Sequence, residues 1–123
     1  MTQAPLSMCI ICKNEEKTIE DCLKSIRPFV KEIIVVDNNS TDGSKDSLKN
    51  KRLTLIENDS NEGFSKANNR GIKASEGQFV LLLNSDTKII NNVLTELVQF
   101  AKEHPDAGVV APKLLNADMS LQS

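Results

Sequence analysis

Short apolar runs alternate with segments of helical periodicity along this chain, and the alternation restricts the fold more than any other feature. Apolar runs predict strands at residues 6–12, 32–36, 53–57, 79–83 and 108–111. Apolar positions three and four apart predict helices at 15–27, 65–75 and 91–104, with a weaker helical pattern at 45–50. Strands that alternate with helices indicate an α/β fold with right-handed crossovers and a mostly parallel sheet. The unbroken apolar run at 79–83 is typical of a strand that is buried on both faces.

Length and charge narrow the classes of function. The 123 residues predict one domain over residues 1–123, and the net charge of −2 lacks the basic surplus of proteins that bind nucleic acid. No apolar run approaches the roughly 18 residues that span a bilayer, and the first residues do not have the pattern of a signal peptide. We therefore expect a cytoplasmic protein, with peripheral attachment to the inner face of the membrane left open.

Cys9 and Cys12 have the spacing that redox dithiols and zinc knuckles use. Both lie inside the first predicted strand, where positions three apart point to opposite faces. A zinc site usually needs four ligands, and the third cysteine, Cys22, falls on a predicted helix face. The pattern therefore favours three buried cysteines that pack as small apolar side chains.

Polar side chains follow the predicted strands, at the edge where parallel sheets bind ligands. Asp37 follows the second strand and suits a hydrogen bond from a base or a ribose, or equally a turn that it forms with its own backbone. Asp86 follows the fourth strand and suits Mg²⁺ or Mn²⁺, or equally the cap of a helix. Asn84 has the polar groups to hold a ribose. The residues alone leave these alternatives open.

Three stretches together resemble a known family. They are "MCIICKNEEKTIEDCLKSI", "EIIVVDNNSTDGS" and "NEGFSKANNRGIKASEGQFVLLLNSDT". In order and spacing they are similar to the nucleotide-sugar-binding half of family 2 glycosyltransferases, most of all the rhamnosyltransferase-like branch. The resemblance implies a GT-A fold, which is a Rossmann-like three-layer α/β/α arrangement. It also implies transfer of a sugar, with inversion, from a UDP- or dTDP-type donor to a carbohydrate or glycolipid acceptor.

The resemblance also implies roles for individual residues. Asp37 matches a residue that contacts the donor base, Glu15 matches one that lines the nucleoside pocket, and Lys66 lies on the helix that borders the nucleotide. Asn84, Ser85 and Asp86 match the Asp-x-Asp motif, in which the first residue faces the ribose and the last holds Mg²⁺ or Mn²⁺ on the diphosphate. The motif's first Asp is Asn84 here, and many members have Arg in place of Asn68, which implies weaker contacts with the metal and the nucleotide.

Members of the family continue into an acceptor half that carries the catalytic base, whereas this sequence ends at Ser123. We expect either the donor-binding part of a longer inverting enzyme, with a GT-A fold truncated before the acceptor half, or a nucleotide-sugar binder that transfers nothing. No residue is assigned as the base that an acceptor hydroxyl needs. Surface that an acceptor half would cover favours self-association into a homo-oligomer.

A receiver-like signalling module is a further alternative, because such modules have a similar size and fold. Glu15 and Glu16 after the first strand and Asp59 after the third would form its Mg²⁺-dependent phospho-acceptor site, with Thr87 and Lys113 after later strands. Against it, Asp59 lies two residues beyond its predicted strand, and the polar loop that follows the second strand would have no role.

Overall fold

The predicted alternation of strands and helices is present in the structure, a computed structural model that describes residues 4–49 and 52–122. The chain divides into two compact units, Met1–Ile89 and Ile90–Ser123. The first unit contains β1 (Ala4–Cys12), α1 (Ile19–Ile26), a 3₁₀ turn (Arg27–Phe29), β2 (Val30–Asp37), α2 (Ser44–Leu48), β3 (Thr54–Glu57), α3 (Phe64–Ala74) and β4 (Phe79–Asn84). The second unit contains α4 (Val93–Glu103). Residue 50, at the end of the predicted second helix, lies outside the described residues.

The four strands pair in parallel in the order β3-β2-β1-β4, which confirms the predicted α/β fold. Successive crossovers place β2 and β3 on one side of β1, whereas β4 lies on the other side. The strand order therefore reverses beside β1, and ligands of open α/β sheets bind at such a point, outside the carboxyl ends of the strands.

This strand order contradicts the receiver-like alternative. Receiver modules have the flavodoxin-like order 2-1-3-4-5, in which the third strand lies next to the first. Here β2 separates β3 from β1, so Asp59 after β3 and Glu15 after β1 belong to strands that are not neighbours. The acidic residues that such a module needs side by side therefore follow separated strands.

The core forms around β1 and β2, the two central strands. Met8, Ile10, Ile34 and Val35 are completely buried, and burial of such a side chain stabilises the fold by about 1.5–3 kcal/mol. Helix α3 packs against β1 and β2. One cluster on this face combines buried and half-buried side chains from the sheet and α3: Cys9, Ile11, Ile34, Val36, Ile56, Ala67 and Val80.

The predicted apolar face of the first helix is confirmed. Helix α1 buries the four residues at the expected helical spacing, Ile19, Cys22, Leu23 and Ile26. The backbone carbonyl of Glu15 accepts hydrogen bonds from the amides of Thr18 and Ile19, so the turn before the helix begins earlier than α1 itself. Pro28 lies in the 3₁₀ turn that ends this segment, which is a position that tolerates a missing amide hydrogen.

The cysteine prediction is also confirmed. All three thiols are reduced and buried. The Cys9 thiol contacts Asn68 of α3 at 3.9 Å, whereas the Cys12 thiol interacts with Ser44 of α2. Because Cys9 and Cys12 contact different helices, their sulfur atoms do not form a dithiol. Burial raises the pKa of Cys9 to about 11, as expected for a packing residue rather than a reactive one.

Two strand predictions were wrong. The run at 79–83 forms β4, but Leu82 is 45% exposed, because α3 packs mainly over β1 and β2 and leaves this position uncovered. Residues 108–111 form no strand, and Val109 is 90% exposed. Within the described part of the second unit, the only β-type pairing is one isolated bridge between Leu115 and Leu121. A short apolar run needs a partner strand for its backbone hydrogen bonds, and hydrophobicity alone does not supply one.

Among the described residues, no helix has both the length and the apolar character that crossing a membrane requires.

Candidate functional site

The strand register brings the predicted site residues to one edge of the sheet. Asp37, the last residue of β2, is aligned with Cys12, the last residue of β1. Asn84, the last residue of β4, is aligned with Ile11. The segments that follow these strands therefore begin at nearly the same level, and this edge lies where the strand order reverses.

Asp37 is completely buried, and its carboxylate organises the loop that follows it. The Ser40 amide donates to one carboxylate oxygen at 2.9 Å, and the Ser40 hydroxyl donates to the other at 2.6 Å. The Lys45 ammonium lies 3.9 Å from the same carboxylate. The turn that the sequence allowed as an alternative role is thus present. Each oxygen keeps a second lone pair, so the turn leaves acceptor capacity on Asp37.

The loops after β1 and β2, residues 13–16 and 37–44, are joined by hydrogen bonds in both directions. The Asn14 amide donates to the Ser40 hydroxyl at 2.9 Å, and the Asn14 side-chain oxygen accepts from the Thr41 amide at 2.7 Å. The Glu15 amide donates to the Ser44 hydroxyl at 2.9 Å. Asn14 has a φ of 55°, a left-handed conformation that Asn tolerates better than most residues.

The sequence reasoning missed this interlocking, since it assigned most of loop 37–44 to a turn that satisfies its own backbone. Lys13 adds a further link, because its ammonium donates to the Asn39 carbonyl at 2.6 Å. Asp42 bonds Ser44, and those hydrogen bonds lower the pKa of the Asp42 carboxyl. The dense polar run after each strand was the available signal, but it did not reveal which residues would pair.

Glu15 lies half-buried at the start of the first helical segment. Its side-chain carboxylate accepts a hydrogen bond from the Thr18 hydroxyl at 3.1 Å. A carboxylate at this end of a helix suits the positive end of the helix dipole. Glu15 therefore has a local structural role at the edge of the sheet where its predicted ligand would lie.

A second polar network joins the ends of β2 and β3 to α3. The buried Asn58 donates to the Asn38 side-chain oxygen at 2.8 Å and accepts from the Arg70 guanidinium at 2.8 Å. Arg70 also pairs with Glu62 at 3.3 Å, and Lys66 lies 3.9 Å from the same Glu62 carboxylate. Lys66 was predicted as a site residue, whereas Asn38, Asn58, Glu62 and Arg70 were missed.

The residues after β4 line a cavity of about 630 Å³ on the α1 side. Asp86 is exposed, Ser85 is buried, and both contribute to the cavity wall. The Asn84 carbonyl accepts from the Thr87 amide at 3.1 Å, which forms a tight turn after the strand. The lining residues are Thr18, Asp21, Cys22, Lys24, Ser25, Ser85, Asp86, Thr87 and Lys88. Glu15, Asp37 and Lys66 do not line this cavity, so the six predicted residues share an edge of the sheet without sharing one cavity.

Cys22 forms part of the cavity wall beneath Asp86. Its thiol contacts the Asn84 carbonyl at 3.8 Å. Burial raises the pKa of the Cys22 thiol to about 11, and the nearby negative charge of Asp86 raises it further. The thiol therefore stays neutral at physiological pH and serves as a packing group.

The donor set around Asp86 fits only a metal that the protein holds loosely. No cluster of three or more His, Cys, Asp or Glu side chains suited to a metal ion occurs among the described residues. Mg²⁺ and Mn²⁺ commonly bind one or two carboxylates and complete their coordination with waters and substrate phosphates. One exposed carboxylate at the end of β4 matches that pattern.

Solved structures of glycosyltransferases have the same fold. S. aureus TarS (residues 1–349) matches with a TM-score of 0.69 and 30% identity, over 81% of this chain and 33% of that one. Glucosyl-3-phosphoglycerate synthase from Mycobacterium tuberculosis, in complex with UDP, matches with a TM-score of 0.63 and 25% identity, over 75% of this chain and 37% of that one. The parallel sheet and its helices are thus those of GT-A glycosyltransferases.

Curated relatives and a family model agree with the structural comparison. A TPR repeat-containing protein of Synechococcus elongatus is 33% identical over 94 residues, which cover 76% of this chain and 23% of the relative. Poly-β-1,6-N-acetyl-D-glucosamine synthase of Staphylococcus epidermidis is 28% identical over 120 residues, which cover 90% of this chain and 29% of the relative. The chain thus spans about a quarter of the length of these relatives. The model of glycosyl transferase family 2 matches residues 7–120. The chain therefore belongs to glycosyl transferase family 2.

Proposed function

We propose that this chain binds a nucleotide diphosphate sugar and supplies the donor side of an inverting, metal-assisted glycosyl transfer. The observation that carries the proposal is the common level of Asp37, Cys12 and Asn84 at the carboxyl edge of the sheet, beside the reversal of strand order. Membership of glycosyl transferase family 2 supports glycosyl transfer as the reaction class. The M. tuberculosis relative was solved with Mn²⁺, UDP-glucose and phosphoglyceric acid, which supports a nucleotide sugar as the donor class.

On this proposal, the loops after β1 and β2 hold the nucleoside. Asp37 accepts a hydrogen bond from the base through its remaining lone pairs, and Glu15 lines the nucleoside pocket. Both side chains already carry structural hydrogen bonds, from Ser40 and Thr18 respectively. Side chains that are fixed before the ligand arrives lose little conformational freedom on binding.

The residues after β4 and on α3 hold the rest of the donor. Asn84 faces the ribose, Ser85 shapes the turn beside it, and Lys66 donates to the diphosphate. Asp86 would hold Mg²⁺ or Mn²⁺, which would neutralise charge on the departing diphosphate. The acceptor, a carbohydrate or glycolipid hydroxyl, needs a general base to remove its proton.

A thermal-shift titration tests donor binding. We expect UDP, dTDP or GDP to raise the melting temperature, and Mn²⁺ or Mg²⁺ to increase that shift, because a ligand that binds only the folded state stabilises it. At a ligand concentration of 100 Kd the added stability is about 2.7 kcal/mol. Asp86→Ala should abolish the metal-dependent part and preserve a smaller, metal-independent shift.

The matched control is Asp106→Ala, since Asp106 is an exposed carboxylate in the second unit. It should leave the nucleotide shift unchanged, with and without metal. If none of the three nucleotides shifts the melting temperature of the folded chain, the proposed function is wrong. If the donor binds but is neither transferred nor hydrolysed, this chain acts as a nucleotide-sugar binder.

A further inference from the structure

The Glu62 carboxylate is shared between two cations of α3. Its two oxygens lie 3.3 Å from the Arg70 guanidinium and 3.9 Å from the Lys66 ammonium. Glu62 directly precedes Gly63, at which the backbone turns into the helix with a φ of 82°. The carboxylate thus lies beside the helix start that carries the lysine proposed above to contact the diphosphate.

The two members of the Lys66–Glu62 pair differ in how firmly they are held. The Glu62 side chain is only 11% exposed, and its backbone amide donates to the Asn38 side chain at 3.4 Å. The Lys66 side chain is 73% exposed. A long, exposed lysine side chain loses and regains such a contact at little cost, because exposed ion pairs contribute only about 0.2–1 kcal/mol. Lys66 is therefore the member of the pair that leaves.

Arg70 is anchored to the sheet while it binds Glu62. One of its nitrogens donates to Asn58 at 2.8 Å, and Asn58 is buried at the end of β3. Another nitrogen faces Glu62, so one planar guanidinium bridges the two side chains. A carboxylate whose charge is already balanced by Arg70 attracts Lys66 less strongly than a carboxylate without that neighbour.

We propose that Glu62 is an internal anion that competes with the donor diphosphate for Lys66, and that Arg70 weakens this competition by binding Glu62. The inference rests on the diphosphate role proposed above for Lys66. Glu62 and Arg70 are then positioning residues, since they act through Lys66 and do not contact the donor themselves. The affinity for phosphate, rather than for the nucleoside, is the quantity that they control.

Substitution of Glu62 tests the competition. Glu62→Gln keeps the shape of the side chain and removes its charge. We expect it to tighten binding of the nucleoside diphosphate by about 2- to 5-fold, the range of an exposed ion pair. The probe is UDP, dTDP or GDP, whichever gives the largest thermal shift, and its affinity is measured by calorimetry. The matching nucleoside has no phosphate, so its affinity should not change.

A double-mutant cycle separates the competition from a general change of charge. Lys66→Ala should weaken diphosphate binding, and in that background Glu62→Gln should no longer tighten it. Lys73→Ala is the matched control, since Lys73 is exposed in the last turn of the same helix. An equal gain from Glu62→Gln with and without Lys66 would overturn the inference.

Substitution of Arg70 tests the other half of the proposal. Arg70→Lys keeps a positive charge but lacks the planar fork that reaches both Asn58 and Glu62. It should weaken diphosphate binding by about 2- to 5-fold, and Glu62→Gln should restore the affinity. A loss that also affects the nucleoside, or that Glu62→Gln does not restore, would show a structural role only. Failure of every nucleotide to bind the native chain would refute the proposed function itself, whereas binding that Lys66→Ala leaves unchanged would refute this inference alone.

Discussion

Gly71 allows α3 to approach β1 more closely than any other residue would permit. A Cβ atom built on Gly71 would lie 2.1 Å from the Cys9 sulfur, far inside the roughly 3.5–4.0 Å of a favourable contact. Gly71→Ala therefore forces α3 away from the sheet or moves the buried Cys9 side chain. Overpacking of this kind costs about 1–3 kcal/mol, and the better helix propensity of Ala offsets about 1 kcal/mol of it.

Removal of the sulfur should reverse the sign of the effect. In a Cys9→Ala background, the nearest atoms to the new Cβ are the Cβ of residue 9 at 3.3 Å and a Val36 methyl at 3.4 Å. These distances need only small adjustments. We therefore expect Gly71→Ala to be neutral or to stabilise that background by up to about 1 kcal/mol. Cys9→Ala alone should cost about 1 kcal/mol, as expected for the loss of one buried heavy atom.

Urea denaturation followed by far-ultraviolet circular dichroism measures all four variants, since the chain has no Trp or Tyr to give a fluorescence signal. Gly108→Ala is the control, because nothing lies within 4 Å of the Cβ that it adds. That control should change stability by less than about 0.5 kcal/mol. Equal destabilisation by Gly71→Ala with and without the Cys9 sulfur would refute the packing argument.

Two further predictions concern the opposite edge of the sheet and the buried thiols. A Cβ on Gly77 would lie 2.5 Å from the Ser7 hydroxyl and 2.7 Å from the Ser7 backbone nitrogen, so Gly77→Ala should lower the free energy of unfolding by about 1–3 kcal/mol. Ser7→Ala should not restore it in urea denaturation, since the backbone nitrogen remains, and full rescue would contradict this reasoning. The pKa of Cys9 and of Cys22 rises from 9.0 to about 11 in the folded chain, so unfolded thiols ionise first and stability should fall as the pH rises from about 9 to about 11. Cys22→Ala should flatten that decline in thermal melts across the same pH window, and an unchanged slope would count against it.

Local pattern was sufficient to predict the elements of the sheet and their parallel order. Strand residues such as Ile34 and Val35 are β-branched and apolar, and the helical spacing of Ile19 and Leu23 shows only one face that needs burial. The pattern was not sufficient for Leu82, because its burial depends on which strands α3 covers. An apolar run reports a tendency to be buried but not the neighbour that buries it.

The site was predicted in outline for a similar reason. Asp37 and Asp86 follow strands, and the parallel sheet brings such residues to one edge whatever their side chains do. The burial of Asp37 beneath Ser40 and the sharing of Glu62 by two cations were not predicted. These contacts join side chains whose rotamers depend on packing among several elements, so no periodicity along the chain encodes them.

The hydrogen bonds between loops 13–16 and 37–44 also define what protein engineering can exchange. Each loop satisfies backbone amides of the other: Ser40 accepts from Asn14, and Asn14 accepts from Thr41. A relative's loop grafted alone would leave several of these amides without an acceptor, at roughly 1–3 kcal/mol for each one that stays buried. Chimeras that aim to change donor preference should therefore transplant the two loops together, as a single cassette.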